Sequence, residues 1–233
     1  MEDKYNEMKI KELTIYTTKL LEQTRFYAQV LDLKPIRQSE NSVSFVIGES
    51  VLNIEYQKTA TPYHFAINIP SNKEVEALTW LKTKVDILKD DQDEIIDFIR
   101  WNAKAIYFYD ADDNIVELIA RKNLNNASTR DFDQNSFLEI SEIGLPTTNI
   151  KREFTLLHEN CGLEVYDGSF ERFCAIGNDN GLFICINKNT KDWFPTNDKA
   201  YSSNFEVIIN EKDQEYKVAY QNEQLSTLIT NKK

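Results

Sequence analysis

A pattern of one strand, one helix and three further strands recurs along the chain. Residues 9–18 alternate between the two faces of a strand and are rich in Thr, Ile and Tyr, which predicts a half-buried strand. Residues 20–31 place apolar side chains at helical spacing, and Pro35 ends the predicted helix. Three short apolar runs, separated by turn-forming residues, follow between 33 and 56. This part of the sequence therefore predicts a βαβββ unit.

The same order begins twice more. It restarts at Tyr63 and runs to residue 121, and a third copy runs from about 138 to 187. The residues after 202 contain only two strand-like runs, FEVIIN and KVAYQ, which are too few for a complete fourth copy. We therefore expect an α+β protein of repeated βαβββ units, with two paired units in its N-terminal half and a truncated second half.

A polar segment separates the two halves. Residues 122–136, KNLNNASTRDFDQNS, have the composition of a linker. The expected organisation is a first domain at 9–121, this linker, a second and partial domain at 137–222, and a frayed tail at 223–233.

Composition excludes several classes of partner. The 27 basic and 38 acidic side chains give a net charge of −11, which repels nucleic acid and anionic lipid surfaces. The N-terminal residues lack the apolar run of a signal peptide, and no stretch is long and apolar enough for a membrane span. We expect a cytoplasmic protein that is a monomer or a homodimer. The three cysteines form no CxxC pair, which favours buried thiols.

Particular motifs of the first two units resemble one known superfamily. A Phe-Tyr pair at 26–27 is followed by VLDLK, and the second unit closes with YFYDADDNIVELIAR. Together with the repeated unit, these motifs resemble the vicinal oxygen chelate superfamily of glyoxalases, bleomycin-resistance proteins and ring-cleaving dioxygenases. The resemblance covers residues 9–121 well and 138–187 more weakly. It implies two βαβββ units whose curved sheets enclose a cleft.

The turn of the second unit matches the superfamily's DPDGN turn with two departures, Ala111 and Asp113. Asp113 stands where the superfamily has a glycine that supplies a left-handed backbone, a conformation that Asp tolerates at modest cost. We therefore expect the turn to form. The matching positions are Asp110, Asp112, Asn114, Glu117 and Leu118.

The resemblance implies a divalent metal site. It carries an imidazole ligand onto His64 and a carboxylate ligand onto Glu117, and it places Glu12 where the superfamily has His or Gln. The remaining ligand position falls on Asn53, with Glu55 two residues later on the same face. One His with two or three oxygen donors suits Fe, Mn, Ni or Zn. Glu12 and Glu117 would then serve both as ligands and as catalytic bases.

Each of these residues also has a structural interpretation. His64 on a strand is compatible with a hydrogen-bonded core histidine, and Glu117 with an ion pair to Arg121. His158 lies in the third predicted helix and is interpreted as a surface histidine. Glu142, which stands 130 positions after Glu12 in a similar sequence, is predicted to be structural because its own unit offers no companion ligand.

Aromatic residues indicate where a ligand would pack. Trp101 precedes the closing strands of the second unit and is predicted to form a wall of the substrate pocket. Trp193 and Phe194 lie beside Pro195, and we expect them mainly to pack the second half against the first.

Three functions remain open from the sequence. The first is a metal-dependent enzyme, either a glyoxalase-type isomerase or lyase or a dioxygenase, that acts on a small molecule with two vicinal oxygens. The second is a metal-free protein of the bleomycin-resistance type that sequesters a small molecule, for which the net charge of −11 favours a cationic ligand. The third is an interaction module in which the shortened second half covers a sheet edge or pairs with another subunit.

Overall fold

The described part of the chain forms two β-sheets and three α-helices. The computed structural model describes residues 8–230. The helices are α1 (Leu20–Arg25), which continues as a π-helical turn (Phe26–Val30), α2 (Glu74–Leu81) and α3 (Ile150–Cys161). The strands are β1 (Lys9–Thr17), β2 (Pro35–Gln38), β3 (Ser42–Ile47), β4 (Ser50–Tyr56), β5 (His64–Ile69), β6 (Ile87–Leu88), β7 (Ile96–Phe98), β8 (Ala103–Tyr109), β9 (Ile115–Arg121), β10 (Glu139–Thr147), β11 (Val165–Gly168), β12 (Phe173–Asn178), β13 (Gly181–Asn187), β14 (Phe205–Glu211), β15 (Gln214–Gln221) and β16 (Gln224–Ile229).

The repeated unit is present in the structure. In each of the three units, the first strand lies parallel to the last one. Thus β1 pairs with β4, β5 with β9, and β10 with β13. A parallel pair needs a crossover connection, which here includes the helix that follows the first strand. The α+β class and the repeated βαβββ units are therefore confirmed. The second unit also contains two short strands, β6 and β7, between its helix α2 and strand β8.

The pairing of the units differs from the expectation. The first sheet has the order β16-β15-β14-β1-β4-β3-β2, and the second has the order β11-β12-β13-β10-β5-β9-β8-β6, with β7 beside β8. The first unit thus joins the end of the chain through β1 and β14, and the second unit joins the third through β5 and β10. The expected sheet pairing of the first two units was wrong, because order along the chain does not determine which strand edges meet.

The last part of the chain is an antiparallel meander of β14, β15 and β16. Residues 224–229 form β16, so the prediction of a frayed tail was wrong there, while residues 231–233 lie outside the described part of the chain. Alternate residues of β14, namely Phe205, Val207 and Ile209, are buried. That burial stabilises the meander against the core.

The main core lies between the two sheets. Tyr27, at the end of the first helix, is fully buried with its ring 5.6 Å from that of Phe45, and Phe26 lies 6.4 Å from Phe108 of the second sheet. The Tyr27 hydroxyl donates to Asp110 at 2.8 Å and so joins the first unit to the turn of the second. That turn forms as expected, with Asp113 at φ 61°.

The three cysteines are buried, as the sequence predicted. Cys161, Cys174 and Cys185 are buried free thiols, and burial raises the pKa of each. Among the described residues, no helix has both the length and the apolar character that crossing a membrane requires.

Candidate metal centre

Three adjacent strands of the second sheet place a histidine and two glutamates on one face. Ala66 of β5 is the register partner of Glu142 on β10 and of Glu117 on β9. His64 precedes Ala66 by two residues and therefore points to the same side of the sheet. The ligand atoms of His64, Glu117 and Glu142 all lie within 4.8 Å of one another.

The histidine presents an unprotonated nitrogen to both carboxylates. The Nδ1 atom of His64 lies 3.1 Å from the carbonyl oxygen of Ile115, which can only accept, so Nδ1 carries the proton. The Nε2 atom lies 3.6 Å from Glu117 Oε2 and 4.0 Å from Glu142 Oε2. Burial lowers the pKa of His64 to about 4, so the imidazole is neutral at neutral pH. These contacts are therefore not ion pairs.

The two glutamates have unequal surroundings. Burial, and then the charge of Glu142, raise the pKa of Glu117 well above its ordinary value, although Arg121 and a hydrogen bond from Tyr107 act in the opposite direction. Burial also raises the pKa of Glu142, and the Arg121 guanidinium opposes that shift. Glu142 binds Arg121 through Oε1 and turns Oε2 toward His64.

Arg121 is the buried cation beneath the centre. Its side chain is 0% exposed and also lies 3.5 Å from Asp179 Oδ1, while its Nε donates to Asn68 Oδ1 at 3.2 Å. Within residues 8–230, Arg121 forms its ion pairs with Glu142 and Asp179, and not with Glu117 as the structural interpretation of that residue expected. Arg121 therefore fixes the orientation of Glu142.

The donor set fits a divalent transition metal. Two ligands bound to one ion at about 2.0–2.2 Å lie at most ~4.4 Å apart, and both distances from His64 Nε2 fall within that limit. One imidazole and two carboxylates suit Fe, Mn, Ni or Zn. In the third unit, the position corresponding to Glu117 is Ile184, the register partner of Gly144. With a metal bound, the set would supply three protein ligands and leave coordination positions open.

A cavity of about 460 Å³ opens onto these three residues. Its walls are largely apolar, as is usual for a small-molecule site. Trp193 lies over His64 with ring centroids 4.9 Å apart, and a side chain on Gly144 would approach the Trp193 ring to 2.7 Å. The glycine is thus the sequence feature that lets Trp193 cover the histidine. The aromatic residues of the wall are Phe98, Trp101, Tyr107, Phe173, Trp193 and Phe194.

Comparison with known proteins identifies the fold of the chain. No family model matches the sequence, and no curated protein matches it either. Among solved structures, a mutant of glyoxalase I from Zea mays matches with a TM-score of 0.60 and 13% identity, over 97% of this chain and 93% of that one. The chain has the vicinal oxygen chelate fold. A candidate dioxygenase from Bacillus subtilis matches with a TM-score of 0.56 and 15% identity, over 78% of this chain, which spans 64% of its length.

Within the vicinal oxygen chelate fold, the structure separates Glu12 from the other candidate ligands. Glu12 and Asn53 lie on the first sheet, where Asn53 Nδ2 donates to Glu12 Oε2 at 3.2 Å and Ser44 donates to Asn53 at 2.7 Å. Glu55 is exposed on the same sheet. The expected grouping of these residues with His64 was wrong, because it assumed that the first unit pairs with the second.

Glu142 takes the place expected for Glu12. It was predicted to be structural, yet from β10 it turns its carboxylate toward His64, with Oε2 4.0 Å from His64 Nε2. The signal that could have identified it is the similarity between the sequences around Glu12 and Glu142, which marks both as the same position in a repeated unit. His158, by contrast, is half-exposed and stacks on Phe154 in α3.

Removing the ring of Trp193 is expected to raise the pKa of His64 toward its ordinary value. In Trp193→Ala, water reaches the imidazole, so its pKa should rise from about 4 toward the ordinary value of 6.5. Proton NMR titration of chelator-treated protein measures this shift, and a His158→Gln background removes the second histidine signal. Tyr201→Ala, which removes a more exposed ring from the same segment, should leave the titration unchanged. An unaltered His64 pKa in Trp193→Ala would show that the indole does not control its hydration.

Proposed function

We propose that the protein is a metal-dependent enzyme that holds a divalent transition metal on His64, Glu117 and Glu142. The substrate class is a small molecule with two vicinal oxygens, as for a glyoxalase-type isomerase or lyase or a dioxygenase. The observation that supports this most strongly is a neutral imidazole whose unprotonated Nε2 faces two buried carboxylates. Acceptors facing one another in a buried site need a cation or a shared proton between them.

The protein's own residues have separate roles in this proposal. A bound divalent metal supplies Lewis acidity toward the substrate oxygens. Glu142 is held by Arg121 and serves as a fixed ligand. Glu117 has the more strongly raised pKa of the two and accepts a hydrogen bond from Tyr107. Glu117 is therefore the group best placed to exchange a proton with substrate. The aromatic side chains of the wall make the same region largely apolar.

Metal uptake by matched glutamate variants tests the ligand set. Glu142→Gln should lower the affinity for Zn(II) or Mn(II) by at least about tenfold, because it removes an anionic ligand. Glu12→Gln changes the equivalent repeat position on the first sheet and should bind as the wild type does. Calorimetric titration of chelator-treated protein provides the measurement. Equal losses in both variants would contradict the assignment, and no uptake by the wild type would favour the metal-free ligand-binding alternative.

Metal affinity should increase with pH. Because the pKa of Glu117 is raised, this carboxyl keeps its proton above pH 4.5, and a cation must displace that proton. Affinity should therefore rise by up to about tenfold per pH unit until the raised pKa is passed. His64 does not contribute in that range, since its pKa is about 4.

Titrations in a pH series, made with the wild type and with Glu117→Gln, test this expectation. The variant should bind more weakly and show a flatter profile, because it has no proton to displace at that position. The same slope in both proteins would contradict the role assigned to Glu117.

A further inference from the structure

The wall of the cavity carries a lysine whose charge has no acidic partner. Lys191 is half-buried and lines the cavity together with Trp193 and Phe194. Within residues 8–230, no carboxylate lies within ion-pair distance of its Nζ. Burial lowers the pKa of Lys191, and the charge of Arg172 lowers it further. A partly desolvated cation of this kind is stabilised by an anion that enters from solvent.

Arg172 places a second positive charge beside Lys191. The two residues line a neighbouring pocket of about 550 Å³, which shares Arg100, Asp167, Phe173 and Lys191 with the cavity at the candidate metal centre. The Nε of Arg172 donates to the carbonyl oxygen of Thr190 at 3.3 Å, and the described part of the chain offers its guanidinium no carboxylate partner at ion-pair distance. Two like charges therefore meet where the two pockets join, in a protein of net charge −11.

The acidic residues of the same rim do not neutralise this pair. Asp167 accepts hydrogen bonds from Arg100 and from the indole of Trp101, both at 2.8 Å, and its charge is already balanced by Arg100. Asp97 is exposed to solvent on β7, where screening weakens its field. Within residues 8–230, Lys191 and Arg172 thus form no ion pair, so this part of the rim offers two unpaired cations to an anion that enters from solvent.

We propose that Lys191, assisted by Arg172, is a specificity-determining residue that binds an anionic group of the substrate. The substrate is then an acid with a ring-sized apolar body, whose vicinal oxygens face His64, Glu117 and Glu142 while its anionic group lies at Lys191. This inference rests on the proposed function and names the substrate class of the same site. It also reverses the expectation of a cationic ligand, which considered only the net charge.

A charge series on one ring tests the proposal. The probes are 3,4-dihydroxyphenylacetate, 4-methylcatechol and dopamine, which share a catechol and carry an anionic, a neutral and a cationic substituent. Binding to Zn(II)-loaded protein is followed by calorimetry. The wild type should prefer the anionic probe, and Lys191→Met should weaken that probe about tenfold while changing 4-methylcatechol less than about twofold. The control variant Lys34→Met changes an exposed lysine next to β2 of the first sheet. It makes the same change in net charge and should have no effect on binding.

The outcomes separate the two proposals. If 4-methylcatechol binds only when Zn(II) is present but the three probes bind equally, the proposed function stands and the anionic specificity is overturned. An equal loss for the neutral and anionic probes in Lys191→Met also overturns it, because the lysine would then act through packing. If no catechol binds the Zn(II)-loaded protein, both proposals fail.

Discussion

Replacing Arg121 by leucine is expected to lower the free energy of unfolding by about 3–5 kcal/mol, the usual cost of leaving a buried charge without its partner. Arg121 is completely buried and contacts Glu142, Asp179 and Asn68. Its loss leaves the Glu142 carboxylate uncompensated in the core. Because the guanidinium also opposes the rise in the pKa of Glu142, the variant should bind metal more weakly. Urea denaturation of chelator-treated protein measures the stability.

A double variant separates the charge from the packing. Arg121→Leu combined with Glu142→Leu removes both members of the pair and should recover most of the stability, since apolar replacements of buried ion pairs are well tolerated. The double variant should nevertheless fail to bind metal. A single Arg121→Leu variant that loses less than about 1 kcal/mol would show that the pair is not a buried charge pair in solution.

Replacing Asp110 by alanine is expected to lower the free energy of unfolding by roughly 3–4 kcal/mol, because several hydrogen bonds to one buried carboxyl are lost together. Its oxygens accept from the Tyr27 hydroxyl at 2.8 Å, from the amide nitrogens of Asp112 at 2.9 Å and Asn114 at 3.1 Å, and from Asn114 Nδ2 at 2.8 Å. The variant also leaves the buried Tyr27 hydroxyl without an acceptor. Urea denaturation again gives the change in stability.

The neighbouring Asp113 provides the matched control. Asp113→Asn makes the same change in charge at an exposed carboxylate and keeps a residue that tolerates φ near 61°. It should alter stability by less than about 0.5 kcal/mol. Equal effects of the Asp110 and Asp113 variants would contradict the structural role assigned to Asp110.

The sequence predicted the local elements well because their signals are local. Alternation of side chains along β1, and helical spacing before Cys161, reflect which face each element buries. The resemblance also pointed to His64 and Glu117 as candidate ligands, and these two residues of one unit meet through the pairing of β5 with β9. Naming these two candidate ligands required no knowledge of how the units pack.

The third residue of the candidate metal centre depended on packing that the sequence does not reveal. Glu12 of β1 and Glu142 of β10 occupy the same position in two similar strands. Only the pairing of β10 with β5 decides which of them lies beside His64. The same limit applies to Lys191, whose significance comes from the absence of a neighbouring carboxylate in the described residues. The sequence of a loop does not show which charged side chains of other segments lie near it.

The most direct test of the metal centre is a crystal structure of Zn(II)-loaded protein with an anomalous difference map recorded at the zinc absorption edge. The proposed centre predicts one strong peak shared by His64 Nε2, an oxygen of Glu117 and an oxygen of Glu142. A peak at Glu12 and Asn53, a peak at His158 alone, or no peak near His64 would contradict it.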